Sequence, residues 1–238
     1  NLLTWIGAHT TTLRLGTAVT VLPWHNPVLL AEQVATLDLL SGGRVDFGIG
    51  KGYRYNEFAG FCVPMQEAEA RFDECLEVMT KAWTSDTPWS HHGTYWQCKD
   101  VVVEPPTAQK PHPPVWMGAG SPASVKKVAS QGYNMLLGQF APLEQVSEAI
   151  ALFKAEVEAH GRTFDPMSVG VARSLNVVMT KAKYEQAIET RMAGRRRTQR
   201  LAQRPNFKDT REAAETGTLY GTTDEIATKL KALRDVGA

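Results

Sequence analysis

The apolar residues of this chain alternate between a two-residue period and a helical period. Residues 13–22 are rich in β-branched side chains, which predicts a strand. Residues 28–40 carry apolar side chains at helical spacing, with Asn26 as the N-cap and Pro27 at the first helical position. Residues 44–50 alternate again and predict a second strand. This order of strand, helix and strand, with short joints, indicates a β/α unit.

The alternation continues to the end of the chain. Further strands are predicted over residues 115–118, 133–137 and 168–179, and further helices over residues 66–83, 122–131, 143–160, from 184, and after 225. The helix from residue 184 is expected to be interrupted by a basic run at residues 194–205. Residues 53–61 are predicted to form a loop, and residues 84–97 an irregular stretch. In all we count five strands alternating with six helices.

Alternating strands and helices with short joints require right-handed crossovers and a parallel sheet, so the fold class is α/β. A doubly wound nucleotide-binding sheet would carry its glycine fingerprint on the first strand, opening directly into a helix. Here Gly48, Gly50 and Gly52 lie after a later strand and lead into a predicted loop. We therefore predict a (β/α)8 TIM barrel, as a single domain over residues 1–238, without its first two strands and its last. An inserted basic segment is expected at about residues 194–220.

Composition excludes several classes of function. The 238 residues are 43% hydrophobic and 21% charged, with a net charge of +1, which gives no electrostatic case for nucleic acid as a partner. No apolar run is long enough to span a membrane, and the first residues lack the pattern of a signal peptide. Cys62, Cys75 and Cys98 are too scattered for a disulfide framework, and we expect Cys62 and Cys75 to be buried and structural. These features favour a cytoplasmic protein.

Two glycine-rich stretches are candidates for binding a phosphate. Lys51 follows a predicted strand and stands between Gly50 and Gly52, so the sequence allows either a phosphate ligand or a solvated loop lysine there. Gly120 and Ser121 end another predicted strand and begin a helix, where free N–H groups and the helix dipole favour an anion. An ordinary N-cap is the alternative for Ser121, although two preceding glycines favour the phosphate.

Other candidate sites carry weaker signals. Gly16 interrupts a strong strand pattern, which fits either a bulge or, from composition alone, the favoured plain strand. The histidines lack metal-ligand spacing and His91 and His92 fall in the predicted irregular stretch, so no metal is expected. An arginine cluster fits a solvated face or a lid that meets a phosphate or a protein partner. Its members are Arg195, Arg196, Arg197, Arg200 and Arg204.

Five stretches taken together resemble one known family. They are residues 13–23, 25–28, 37–53, 115–121 and 220–226. In this order they look like the luciferase-like flavin monooxygenases, which include bacterial luciferase, alkanesulfonate monooxygenase and users of the deazaflavin F420. The resemblance implies a flavin-dependent oxidoreductase in which reduced FMN, supplied by a separate flavin reductase, and O2 act on a small organic and apolar substrate. It also implies a homo-oligomer, either a dimer or a tetramer.

The resemblance assigns cofactor-binding positions residue by residue. They are Ala18, Val19, Lys51, Tyr53, Gly120, Ser121, Ser124 and Gln139. Ala18 and Val19 match a non-prolyl cis peptide with a bulge beneath the flavin ring, and Gln139 matches a position near the ring. Lys51, with Tyr53 on the same loop, stands where luciferases have an arginine that binds the flavin phosphate. The helix start at Ser121, with Gly120 and Ser124, matches the second part of that phosphate site, and the basic run matches a mobile lid.

Two departures from the family pattern leave questions open. The family places histidine and glutamate near the reactive face of the flavin from its first two strands, which we do not find in this chain, so no catalytic base is assigned. Lysine at position 51 keeps the positive charge of arginine but lacks its planar, bidentate donors. The sequence therefore leaves both FMN and F420 open as the cofactor. An F420-dependent hydride-transfer oxidoreductase and a non-catalytic flavin-binding relative are therefore the alternatives.

Overall fold

The computed structural model describes residues 1–203 and 210–238. Arg204 and Pro205, the last two residues of the predicted basic run, lie outside the described residues. The chain divides into two compact units, residues 1–116 and 117–238. Each unit is built of helices and parallel strands, which confirms the predicted α/β class. None of the described helices combines the length and the apolar character that crossing a membrane requires.

The first unit begins with short parallel strands around one long strand. Its helices are α1 Leu2–His9, α2 Pro27–Ser41, α3 Tyr55–Gly60 and α4 Ala68–Thr84. Its strands are β1 Leu15–Gly16, β2 Thr20–Val21, β3 Val45–Gly50, β4 Trp89–His92 and β5 Gln97–Val101, and β6 Val115–Ala119 begins here. Both β1 and β2 pair in parallel with β3. The buried side chains of β3, with Phe47 only 2% exposed, make it the central strand of this unit.

The caps predicted for α2 are confirmed. The Asn26 side chain accepts a hydrogen bond from the Leu29 N–H at 3.1 Å, and Pro27 takes the first helical position, where its missing N–H costs nothing. Gly42 ends the helix with φ at 68°, a left-handed conformation that suits glycine. These local signals define the helix to within a residue of the predicted range at each end.

Arg44 joins three segments at the entrance to β3. Its guanidinium donates hydrogen bonds to the carbonyls of Gly7 at 2.9 Å, Thr10 at 2.9 Å, Leu13 at 2.7 Å and Ser41 at 2.7 Å. The carbonyls belong to the end of α1, the turn into β1 and the end of α2. Because these groups would otherwise lack partners at helix and strand ends, the arginine fixes the start of β3.

A buried carboxylate holds the long connection before β6. Asp38 on α2 is fully buried, and its two oxygens accept hydrogen bonds from the Gln109 backbone N–H at 2.8 Å and from Gln109 Nε2 at 2.7 Å. Gln109 Nε2 also donates to the Val45 carbonyl at 2.8 Å. The connection is therefore tied to both α2 and β3.

The structure corrects two predictions in the first unit. The stretch predicted to be irregular contains an antiparallel hairpin of β4 and β5, so His91 and His92 lie in a strand. The hairpin is held by Glu74 on α4, whose carboxylate accepts backbone N–H groups from residues 94–96 at 2.9–3.1 Å. The loop predicted over residues 53–61 contains the short helix α3. Tertiary contacts stabilise both elements, so the elements form without a clear apolar periodicity in their sequences.

The second unit contains a run of three neighbouring strands and a separate pair of parallel strands. Its strands are the end of β6, β7 Asn134–Leu137, β8 Val169–Val171, β9 Ser174–Val177 and β10 Thr218–Gly221. Its helices are α5 Pro122–Ser130, α6 Leu143–Ala159, α7 Lys181–Ala202, α8 Arg211–Glu215 and α9 Thr223–Asp235. Strand β7 pairs with β8, and β9 pairs with β10. All four residues of β10 are buried, and this short strand was not among the predicted ones.

Two further predictions are wrong in the second unit. The single strand predicted over residues 168–179 is divided into β8 and β9. The expected interruption of the helix at Gly194 does not occur, because α7 continues through the basic residues to Ala202. Arginine is a good helix former, so a run of arginines breaks the apolar pattern without breaking the helix.

Candidate functional site

The chain between β1 and β2 departs from a plain strand. The peptide bond between Ala18 and Val19 is cis, as the family resemblance implied, and the plain strand favoured by composition is wrong. A Cβ atom built on Gly50 would lie only 2.6 Å from Val19 Cγ2. The side chain of Val19 therefore occupies the space beside Gly50, at the end of β3.

Lys51 and Tyr53 follow directly at the carboxyl end of β3. The Lys51 ammonium forms an ion pair with the Glu69 carboxylate of α4, and both side chains are about half exposed, at 49% and 56%. Tyr53 is also exposed, at 41%. Gly52, with φ at 82°, turns the loop, and a Cβ there would meet Val21 at 2.7 Å. The lysine is therefore accessible and carries a carboxylate partner that the sequence did not reveal.

The aromatic residues near this loop separate into core and surface. Phe58 is 1% exposed and packs edge to face against Trp24 with ring centroids 4.9 Å apart. Phe61 is exposed and stacks on the same tryptophan at 5.1 Å. Burial lowers the pKa of the neighbouring His25, which favours the neutral imidazole. The corner thus offers a partly apolar surface beside the Lys51 loop.

The helix start at Ser121 is a complete capping box. The Ser121 hydroxyl accepts the Ser124 N–H at 3.3 Å, and the Ser124 hydroxyl accepts the N–H groups of Ser121 at 2.9 Å and Gly120 at 3.1 Å. Pro122 takes the first helical position. The predicted cap is confirmed, and an anion at this helix start would compete with Ser124 for two backbone donors.

Gln139 is exposed on the loop that follows β7. The two ends of this loop are held by Arg173, which donates to the Gly138 carbonyl at 3.3 Å and to the Ala141 carbonyl at 2.9 Å. A Cβ on Gly217 would lie 2.7 Å from the Gln139 carbonyl oxygen, so the chain entering β10 passes directly beside the loop. The backbone that carries Gln139 is therefore fixed from two sides.

The predicted positions form one group in each unit. In the first unit, Ala18, Val19, Lys51 and Tyr53 lie at the start of β2 and beyond the carboxyl end of the adjacent β3. In the second, the Ser121 helix start follows β6 and Gln139 follows β7. The carboxyl ends of parallel strands are where α/β proteins bind their ligands.

The cysteines differ in their surroundings. Cys75 on α4 is fully buried, and burial raises the pKa of its thiol to about 12. Cys62 is exposed and has φ at 56°, so the prediction that it is buried is wrong. Across residues 1–203 and 210–238, no group of three or more metal-ligating side chains comes together.

The sequence as a whole identifies the family. The sequence profile of the luciferase-like monooxygenases matches residues 1–238. The chain belongs to this family of flavin-dependent oxidoreductases.

Among curated relatives, protein y4vJ of Sinorhizobium fredii is 30% identical over 82% of this chain and 56% of its own length. The oxygenase component of a flavin-dependent trigonelline monooxygenase from Acinetobacter baylyi is 31% identical over 61% of this chain and 41% of its own. An FMNH2-dependent dimethylsulfone monooxygenase from Pseudomonas putida is 28% identical over 65% of this chain and 42% of its own. The chain thus spans about half the length of these relatives or less.

Solved structures confirm the barrel fold. The monooxygenase RslO1 from Streptomyces bottropensis superposes with a TM-score of 0.84 at 27% identity, over 98% of this chain and 71% of its own. An F420-dependent secondary alcohol dehydrogenase superposes with a TM-score of 0.77 at 18% identity, over 98% of this chain and 74% of its own. At that identity the second structure shows the fold alone. Both comparisons agree with the predicted luciferase-like TIM barrel.

Proposed function

We propose that this protein is a flavin-dependent monooxygenase that uses reduced FMN and O2 to oxidise a small, apolar organic substrate. The observation that carries this proposal is the contact of Val19 with Gly50, which brings the apolar Val19 side chain beside the loop of Lys51 and Tyr53. The contact places a shaped, partly apolar surface next to an accessible cation at the end of a parallel strand. FMNH2-dependent relatives support the choice of cofactor.

Reduced FMN, when bound, supplies the electrons that activate O2. The chain provides binding, orientation and exclusion of water around it. Val19 offers an apolar side chain, 38% exposed, to the ring, while Lys51 meets the phosphate as a point charge. In the second unit, the hydroxyl and N–H groups of Ser121 and Ser124 are the proposed phosphate donors, and the Gln139 side-chain amide is the proposed ring ligand.

The Lys51 ion pair sets the cost of binding a phosphate in the first unit. The Glu69 carboxylate pairs with the ammonium, and a phosphate would have to share or replace it. Because the pair is half exposed, its own stabilisation is small, on the order of 0.5 kcal/mol. We therefore expect a phosphate, with its two negative charges, to compete with Glu69 for the ammonium.

A separate flavin reductase is the proposed source of reduced FMN. The trigonelline relative is named as an oxygenase component, which supports a two-component system for this chain as well. We also propose a homo-oligomer, a dimer or a tetramer, acting in the cytoplasm.

The second candidate function is hydride transfer with F420. The lysine at position 51 favours it, since a point charge does not demand the geometry that a bidentate arginine does. The similar fold of an F420-dependent dehydrogenase makes the exchange of cofactor structurally feasible. This candidate consumes no O2.

Anaerobic titration of the full-length protein with reduced FMN, and separately with reduced F420, tests both candidates. We expect reduced FMN to bind and Lys51→Ala to weaken it about tenfold, the loss of one charge-assisted contact. Lys99→Ala is the matched control, because Lys99 is also an exposed lysine of the first unit. Unchanged affinity in Lys51→Ala removes this residue from the site.

Oxygen uptake separates the two reactions. A monooxygenase consumes O2 when reduced FMN and substrate are present, whereas the F420 enzyme oxidises or reduces its substrate without O2. Tight binding of F420 with no affinity for reduced FMN would overturn the first candidate in favour of the second. Binding of neither cofactor would overturn both.

A further inference from the structure

Two arginines of the second unit meet at the loop that carries Gln139. Arg173 follows β8 and donates to carbonyls at both ends of this loop. Arg191 on α7 has its guanidinium carbon 5.3 Å from the ring centroid of Phe140, the residue after Gln139. Arg195, one turn further along α7, lies over the same ring at 5.0 Å. One aromatic side chain of the loop and three guanidinium groups therefore share one corner of the unit.

Arg191 has an incomplete set of hydrogen bonds. Its Nε donates to the Ala214 carbonyl at 2.7 Å, which fixes the side chain against α8. Its Nη2 is buried and has no hydrogen-bond partner among the residues that the structure describes. A buried charged donor without an acceptor is unfavourable, since it has lost water and gained nothing in exchange.

The charges of Arg173 and Arg191 also repel each other. Burial lowers the pKa of Arg173, and the nearby charge of Arg191 lowers it further. No ion pair joins either arginine to a carboxylate within the described part of the chain. Arg211 of the same unit shows the usual arrangement, with carboxylates of Glu185 and Glu215 at 2.6 and 2.7 Å.

We propose that Arg191, with Arg173 beside it, binds the oxyanion of an organic ligand at the Phe140 corner. An oxyanion supplies the acceptor that Arg191 Nη2 lacks, and its negative charge offsets the repulsion between the two guanidinium groups. Carboxylate, sulfonate and phosphate all match the planar donor geometry of arginine. Arg191 is the direct ligand, whereas Arg173 donates its hydrogen bonds to backbone carbonyls, so it positions the loop and adds a nearby positive charge.

The oxyanion has two sources: an acidic group on an otherwise apolar substrate, or the phosphate of the flavin, which would then lie here instead of at Lys51 or Ser121. The assignment to either source rests on the proposed function, whereas binding of an oxyanion does not. Gln139, one residue from Phe140, was expected near the flavin ring. An acidic substrate held here would be anchored beside Gln139, the residue proposed to lie near the ring.

Calorimetric titrations of the full-length protein with paired ligands test the proposal. Benzoate is compared with neutral benzamide, and FMN with riboflavin, which lacks the phosphate. Each pair is titrated into the wild type, Arg191→Gln and Arg197→Gln. The last variant is the matched control, because Arg197 is an exposed arginine of the same helix and its loss changes the net charge equally.

We expect Arg191→Gln to weaken one anionic ligand about tenfold or more, with its neutral partner and the Arg197→Gln control unchanged. Loss of benzoate affinity identifies a substrate anion, and loss of FMN affinity alone identifies the flavin phosphate. Arg191→Lys keeps the charge without the fork, and circular dichroism checks that each variant is folded. The proposal is overturned when folded Arg191→Gln binds both anions like the wild type, or when the control loses as much. Because benzoate binding needs no flavin, its loss is distinguishable from failure of the proposed cofactor.

Discussion

The side chain of Val19 stands where a side chain on residue 50 would have to be. The separation of 2.6 Å between Val19 Cγ2 and a Cβ built on Gly50 is far below a van der Waals contact. Glycine at position 50 therefore allows the segment before β2 to lie directly against the end of β3. The surface next to the Lys51 loop depends on this close approach.

Gly50→Ala is expected to move Val19 and weaken flavin binding. Overpacking at this contact costs about 2 kcal/mol of unfolding free energy, measured by urea denaturation. Gly60→Ala is the control, because a Cβ there meets nothing within 4 Å and alanine suits the helix α3. Wild-type stability and flavin affinity in Gly50→Ala would show that Val19 moves without consequence.

Glu74 makes the stability of the hairpin region depend on pH. Burial raises the pKa of this carboxyl, but backbone N–H donors from Trp96 and Tyr95, with His91 and Thr94, outweigh burial, and the net pKa lies below the ordinary 4.5. A group with a depressed folded pKa stabilises the protein above its unfolded pKa, and this contribution is lost as pH falls through the folded pKa. Glu74 therefore stabilises fully at neutral pH and progressively less below about pH 4.5.

The test is Glu74→Gln, for which we expect about 2 kcal/mol lower stability at pH 7. The difference from the wild type should shrink as the pH is lowered from 5 to 3. Thermal unfolding monitored over this range measures it, with Glu77→Gln as the control, since Glu77 is exposed on the same helix. A difference independent of pH would mean that shape rather than charge holds the hairpin.

The cysteines are expected to react at very different rates. Cys62 is exposed and should be modified by iodoacetamide within minutes, whereas Cys75 is buried, with a thiol pKa of about 12, and should react only after unfolding. Peptide mapping by mass spectrometry follows each site, and Cys62→Ser should remove the fast phase. Early labelling of Cys75 in the native protein would contradict its burial.

Asp38→Asn is expected to destabilise the first unit. The asparagine amide cannot replace both carboxylate oxygens, so it faces one Gln109 donor with another donor. The loss should be about 2 kcal/mol, read from urea denaturation. Asp86→Asn, on an exposed aspartate, should leave stability unchanged. Equal stability of the two variants would show that the Asp38 carboxylate does not stabilise the connection that contains Gln109.

Local signals predicted part of the fold well. The cap at Asn26 and the capping box at Ser121 connect residues three positions apart, so the sequence alone contains both partners. The hairpin was missed because Glu74 and its backbone donors are about 20 residues apart, and no short-range period encodes that contact. Cys62 was misplaced because apolar neighbours do not determine the burial of a loop residue.

The candidate site likewise consists of residues that the sequence suggested and of contacts that it did not reveal. The assignment of Val19 and Lys51 to the site comes from the family resemblance, and a family pattern reflects many folded proteins. The partner of Lys51 on α4 and the meeting of Arg191 with Phe140 depend on how helices pack, and the basic pattern around residue 195 indicated charge without position. The sequence thus proposed residue types for the site, whereas their contacts with other elements came only from the packing of the helices.

The hydrogen bonds of Arg44 create an uneven tolerance to mutation. Leu13 contributes only its backbone carbonyl, which every residue type has, whereas Thr10 and Ser41 also contact Arg44 through their hydroxyls. Leu13, with an exposed side chain, should accept many replacements, while Thr10 and Ser41 should accept fewer. At this corner the same arginine therefore leaves one partner position free to change in sequence and restricts two others.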